Sequence, residues 1–160
     1  MKSAFVVMAI WSMAWCNSGY CYNLTISGDI SNFTDPEAKE YVFTEADLMR
    51  LPVRTIRTST AWTPVSLFEG VSVLDILKKV GGKGKYITAY TLDDYYGDIP
   101  ISDFEKYGAI LAYKMNGKYL SIENFGPLFI VYPRDTGGGE LSGPLYSTRF
   151  IWQIYKIIVK

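Results

Sequence analysis

Both cysteines of this 160-residue chain, Cys16 and Cys21, lie within its first 21 residues, and histidine occurs nowhere. Everything after residue 21 must therefore fold without an internal disulfide. The same gap removes zinc cages, iron–sulfur ligation and Ser-His-Asp or Cys-His nucleophile arrangements. Stability has to come from burial, and the composition can supply it: 49% of residues are hydrophobic, with 13 Tyr, 8 Phe and 4 Trp. Lys and Arg number 16 and so do Asp and Glu, so no overall field calls for nucleic acid or an anionic membrane surface.

The first residues read as an address. Met1-Lys2 gives a short positive start, Ser3 to Trp15 is an uncharged apolar run, and small-residue pairs such as Ala14/Cys16 or Gly19/Cys21 fit a peptidase site. The run is too short to span a bilayer comfortably. Residues 1–21 are thus expected to be a signal peptide, residues 22–160 a single domain, and the periplasm its location.

Within the domain, short strands dominate. Tyr22 to Ser27, Tyr41 to Phe43 and Val53 to Thr60 alternate or carry β-branched residues, as do Tyr86 to Leu92 and Asp98 to Ile101. Thr44 with Asp47, and Ser72 with Asp75, predict capped helices, the second closed by Gly81-Gly82; Ser102 with Glu105 predicts a third, closed by Gly108. Asn116-Gly117 predicts a hairpin between Ala109–Met115 and Lys118–Ser121. Leu128 to Tyr132 suits a buried strand, Arg134 to Gly143 a Gly-rich loop, and Phe150 to Val159 a long terminal strand with apolar residues on both faces. Many strands, three short helices and no regular βαβ alternation predict a β-rich α+β fold and exclude a Rossmann sheet.

Few residues can carry chemistry. Asp93 and Asp94 flank Tyr95 in one turn, where they either satisfy turn amides or accept paired N–H donors from the edge of a flat heterocycle, with Tyr95 as a stacking face. Trp62 follows Thr58-Ser59-Thr60 at a strand end and is either core filler or a second stacking face. Arg134 and Arg149 bracket the Gly-rich stretch and could together grip a phosphate or carboxylate.

Taken in order, several stretches resemble the sulfite-oxidase-type molybdopterin-binding domain. They are Phe43-Thr44-Glu45-Ala46-Asp47-Leu48, Thr58 to Trp62, Phe68-Glu69-Gly70-Val71 with Leu74-Asp75-Ile76-Leu77, and Thr91-Leu92-Asp93-Asp94-Tyr95. Leu111 to Gly117, Gly126 to Pro133 and Trp152-Gln153-Ile154 continue the pattern. The resemblance implies that fold and a pocket for a pterin or molybdopterin-like ligand. Thr58, Trp62, Asp93, Asp94, Tyr95, Arg134, Ser147 and Arg149 are its expected ligand-binding residues. Family enzymes bind their molybdenum with a cysteine thiolate as well as the pterin's dithiolene, and thiolate is a soft ligand that hydroxyl or indole cannot imitate. Without such a cysteine, the chain is expected to be a non-catalytic pterin-binding protein with no metal and no catalytic residues. Small secreted relatives further imply a partner: the periplasmic part of a membrane-bound signalling protein, such as a cyclic-di-GMP enzyme. Two alternatives stand beside this, a molybdopterin-dependent oxidoreductase and an interaction domain with a vestigial pocket.

Overall fold

The computed structural model describes residues 22–160; the signal-peptide reading of residues 1–21 lies outside the described residues. The strands are β1 (Asn23–Gly28), β2 (Tyr41–Thr44), β3 (Val53–Thr58), β4 (Ser66–Ser72), β5 (Tyr86–Thr91), β6 (Tyr96–Pro100), β7 (Ile110–Met115), β8 (Lys118–Tyr119), β9 (Phe129–Val131) and β10 (Ile154–Val159). Four short helices intervene: α1 (Glu45–Met49), α2 (Val73–Val80), α3 (Ile101–Tyr107) and α4 (Pro144–Ser147). The expected β-rich α+β architecture is what forms.

Two sheets share the strands. The first runs β2-β1-β10-β5-β6. Its pairs are antiparallel except β1 with β10, which run parallel. The second runs β3-β4-β7-β8, and β9 pairs with the part of β7 that β8 leaves free. Leu24, Ile26, Phe43, Ile87, Ile99 and Ile157 from the first sheet join Phe68, Val71, Leu111 and Phe129 from the second in one buried cluster. Each fully buried side chain of this kind contributes about 1.5–3 kcal/mol, which is how a chain without staples holds together.

Local chemistry sets the element ends, and three expectations change. At α1 the reciprocal cap forms: Thr44 Oγ1 accepts from Asp47 N at 3.2 Å and Asp47 Oδ2 accepts from Thr44 N at 3.1 Å. At α2 only half of it does. Ser72 Oγ accepts from Leu74 N, while Asp75 Oδ2 is buried without a hydrogen-bond partner among the described residues. Helix α3 starts directly after Pro100 with no side-chain cap, because the proline ring at the cap position carries no acceptor, and Ser102 falls inside the first turn; Ile101 N is bonded to Lys85 O at 2.9 Å. Both α2 and α3 end on left-handed glycines, Gly81 and Gly108, as expected.

The terminal strand is shorter than its apolar run. Residues 150–153 are irregular, and a register shift between Ile154 and Lys156 puts Ile154, Ile157 and Val159 in the core while Tyr155 stays exposed. It is nevertheless central, lying between β1 and β5. Strand β4 was not visible from alternation because Glu69-Gly70 interrupts it. A Cβ on Gly70 would sit 2.1 Å from Leu111 O, so only glycine permits this approach to β7, at a register shift between Glu69 and Gly70.

Candidate functional site

A cavity of about 380 Å³ opens where three separate stretches meet. Trp62 comes from the loop after β3; Thr91, Asp93 and Tyr95 come from the end of β5 and its turn into β6. Ser147, Thr148, Phe150, Ile151 and Trp152 supply the third wall, from the end of α4 through the irregular run before β10.

The Trp62 loop is held by hydroxyls. Thr60 Oγ1 accepts from Trp62 N at 3.1 Å and Thr63 N at 3.0 Å, and lies 2.9 Å from Thr63 Oγ1. Asp135 then ties the loop to a distant part of the chain: its two oxygens accept from Ser59 N and Ser59 Oγ, each at 2.6 Å. Asp135 N donates to Thr58 Oγ1 at 3.1 Å. So fixed, Trp62 stays 46% exposed, with its ring edge-on to Trp152 at a centroid distance of 4.6 Å. Trp152 packs against Phe125 and Phe129, which anchors the aromatic wall to the core.

The Asp93 turn is equally defined. Thr91 Oγ1 donates to Asp93 Oδ1, and Tyr95 N lies 3.4 Å from the same oxygen. The Thr91 hydroxyl, outweighing the opposing desolvation, holds the Asp93 carboxyl below the usual aspartate range, so the group is an anion at neutral pH. Asp94 takes the corner of the turn at φ 64°, a conformation that aspartate tolerates, and is not one of the lining residues. Tyr95 OH reaches across to Thr148 O at 3.5 Å. Gly97 makes room behind it, since a Cβ there would lie 2.7 Å from Ile151 Cδ1.

The third wall is clamped from behind. Arg149 Nη1 is ion-paired with Asp103 Oδ2 on α3, the two side chains being 15% and 9% exposed. Tyr132 OH donates to the same oxygen at 3.0 Å, and the guanidinium stands 5.0 Å from the Tyr146 ring centroid. Burial, then the Asp103 charge, pushes the Tyr132 hydroxyl well above the ordinary tyrosine range.

Of the residues expected at the site, the fold gathers Trp62, Asp93, Tyr95 and Ser147 around one cavity. The others sit elsewhere. Thr58 is fully buried, its hydroxyl engaged with Ser59 O and Asp135 N. Arg149 does not line the cavity, because Asp103 holds its guanidinium. Arg134 lies in the turn after β9, its N bonded to Tyr132 O, and does not line the cavity either, so the expected two-arginine grip does not form. Thr91, Thr148, Phe150, Ile151 and Trp152 were not foreseen. Trp152 falls within the expected terminal strand, and only the irregular run ending at Gln153, with φ 58°, turns it to the cavity.

The α+β domain thus presents an aromatic-walled slot with one fixed anion. The chain belongs to the oxidoreductase molybdopterin binding domain family, whose model matches residues 21–140. That stretch includes Trp62, Asp93 and Tyr95 and ends before the third wall. Among solved structures the chain is similar to the sulfane dehydrogenase SoxCD from Paracoccus pantotrophus, with a TM-score of 0.62 and 19% identity. The match covers 86% of this chain and 38% of that one, so the chain spans well under half of the matched subunit. It supports the sulfite-oxidase-like fold. A comparison with curated proteins finds no match.

These findings correct the expectation of a non-catalytic protein reporting to a signalling partner: the family matched is an oxidoreductase cofactor domain, and the similar structure is that of a dehydrogenase. The missing cysteine does not decide against such chemistry, because a metal carried on a cofactor's own sulfurs does not depend on a protein ligand alone. Among the described residues no group of three or more His, Cys, Asp or Glu could hold a metal, and residues 22–160 contain no cysteine. The residues present fit the organic part of the cofactor: a flat ring system, an anion for its donor edge and a volume in the roughly 300–1,000 Å³ range of ligand sites. They offer no thiolate to its metal.

Proposed function

We propose that this chain is a molybdopterin-dependent oxidoreductase domain that holds the pterin of its cofactor between Trp62, Tyr95 and Trp152, with Asp93 at the pterin's donor edge. The observation that supports this most directly is the convergence of exposed aromatic rings on a single ionised carboxylate in a family of molybdopterin-binding domains. When bound, the cofactor would supply two-electron redox chemistry at its metal. The chain's own contribution is to grip and orient: the tryptophans offer ring faces and edges, Asp93 accepts N–H bonds, and Phe150 and Ile151 exclude water from that side of the slot. The reading includes export to the periplasm, supported by the pattern of residues 1–21.

Purification of the full chain from a host that makes molybdopterin tests it. We expect pterin and molybdenum in near-equal amounts with the protein, and the Trp62→Ala variant to bind the pterin about 3–10-fold more weakly, the worth of one aromatic contact. A preparation free of pterin refutes the reading, and pterin without molybdenum refutes its oxidoreductase half.

A further inference from the structure

Thr91 is the last residue of β5, buried, and its hydroxyl stands between two acceptors. It donates to Asp93 Oδ1 and lies 2.9 Å from Tyr95 O. A hydroxyl has one proton to give, and a charged oxygen outcompetes a carbonyl for it. Tyr95 N, at 3.4 Å, faces the same Oδ1, so both local donors hold one carboxylate oxygen. Oδ2 takes no hydrogen bond from another residue among the described residues. The turn itself is closed without the hydroxyl: Thr91 N donates to Tyr95 O at 3.0 Å, Asp94 N to Thr91 O at 3.2 Å and Leu92 N to Gln153 O at 3.1 Å.

We propose that Thr91 is a positioning residue: its hydroxyl commits Asp93 Oδ1 and so presents an oriented carboxylate, with Oδ2 left to accept the pterin's N–H edge. The inference rests on the pterin reading above and adds to it the residue that prepares the acceptor. The hydroxyl has two effects. It fixes the carboxylate's orientation, and it stabilises the anion, the form that can accept a pair of N–H groups; a neutral acid carries a proton of its own there. No ion pair assists it. The facing walls present Trp62, Ser147, Thr148, Phe150, Ile151 and Trp152, none of which titrates, and the turn adds only Asp94 and Tyr95. Without the hydroxyl, the opposing desolvation has less to overcome, and the Asp93 carboxyl returns toward the ordinary aspartate range. Acceptance of the N–H edge is then lost as pH falls through that higher value.

Thr91→Val removes the hydroxyl and keeps the branched shape, whereas Thr91→Ser keeps the hydroxyl. In the full chain without ligand, carbon NMR follows the Asp93 carboxyl and shows that the turn is kept. Binding of 6-hydroxymethylpterin is then read by its fluorescence from about pH 7 to about pH 3, where the oxidised pterin ring stays neutral. We expect the Asp93 titration to rise by about one pH unit in Thr91→Val, an about tenfold gain in proton affinity, and pterin binding to fail at correspondingly higher pH. Thr91→Ser should match the unaltered protein in both measurements, and Asp93→Asn should bind weakly with no loss toward acid. A carboxyl titration unmoved in Thr91→Val, or moved equally in Thr91→Ser, overturns the positioning role while the pterin reading stands. So does an acid loss of binding that survives in Asp93→Asn. Absence of pterin binding by the unaltered protein at every pH overturns the pterin reading itself, and the proposal with it.

Discussion

Replacing Arg149 with methionine asks how much of the cavity's rear wall depends on a single buried ion pair. Arg149 and Asp103 are 15% and 9% exposed, and the pair joins α3 to the segment that carries Ser147 to Trp152. Methionine roughly keeps the stem's packing over Tyr146 and removes only the charge and the donors. Removing one partner of a buried pair costs about 3–5 kcal/mol, because the other charge is left uncompensated. Here the loss is reduced by Tyr132 OH, which still donates to Asp103 Oδ2 at 3.0 Å; a hydrogen bond to a charged group is worth about 1.5–3 kcal/mol. The net expectation is about 2–4 kcal/mol, or roughly 8–15 °C in Tm for a domain of this size. Urea and thermal denaturation at neutral pH would measure it. Asp103→Leu combined with Arg149→Met should recover part of the loss, since no charge is then stranded. A single-variant loss below about 1 kcal/mol, or a double variant no better than the single, would show that the ion pair does not hold the wall.

Two further outcomes follow from contacts away from the pair. Gly70→Ala puts a Cβ against Leu111 O, a backbone atom that cannot swing aside, and should cost about 2–3 kcal/mol in chemical denaturation; a loss under 1 kcal/mol would mean that β4 and β7 can part locally. The Asp135 carboxyl is held below the ordinary aspartate range by the Ser59 hydroxyl and then by Ser59 N, so its folded-state value is depressed. Its contribution is complete above about pH 4 and is lost only as pH falls through that lowered value. Tryptophan fluorescence followed from pH 7 downward should therefore report the loop intact at pH 4, and an early change near pH 5 that disappears in Asp135→Asn would contradict this.

Much of this structure is legible in the chain because local rules act where nothing competes. Thr44 with Asp47, Gly81, Gly108 and the Asn116-Gly117 hairpin all do what their side chains and φ preferences dictate. The misses occur where tertiary contacts decide. Ser102 falls inside the first turn of α3, which the tertiary fold starts at Ile101 after Pro100, and β4 escapes notice because its glycine answers to a neighbouring strand. At the site, the turn aspartate and the exposed aromatics could be read directly, as carboxylates and rings with little else to do. Arg149 could not, since an arginine beside a loop looks free until Asp103, 46 residues earlier, is found beneath it. The third wall was hidden for a similar reason: its apolar residues fit a strand, and only the irregular run ending at the positive-φ Gln153 takes them out of one.

The tether between Ser59 and Asp135 spans 76 residues. Trp62 can reach its place opposite Trp152 only after segments 76 residues apart in the chain have met, so the slot depends on non-local contacts. Closing such distant contacts is slow and comes late in folding. A truncated or half-synthesised chain could build its early strands and still have no berth for a ligand, which makes occupancy a report on whether the whole domain has been completed.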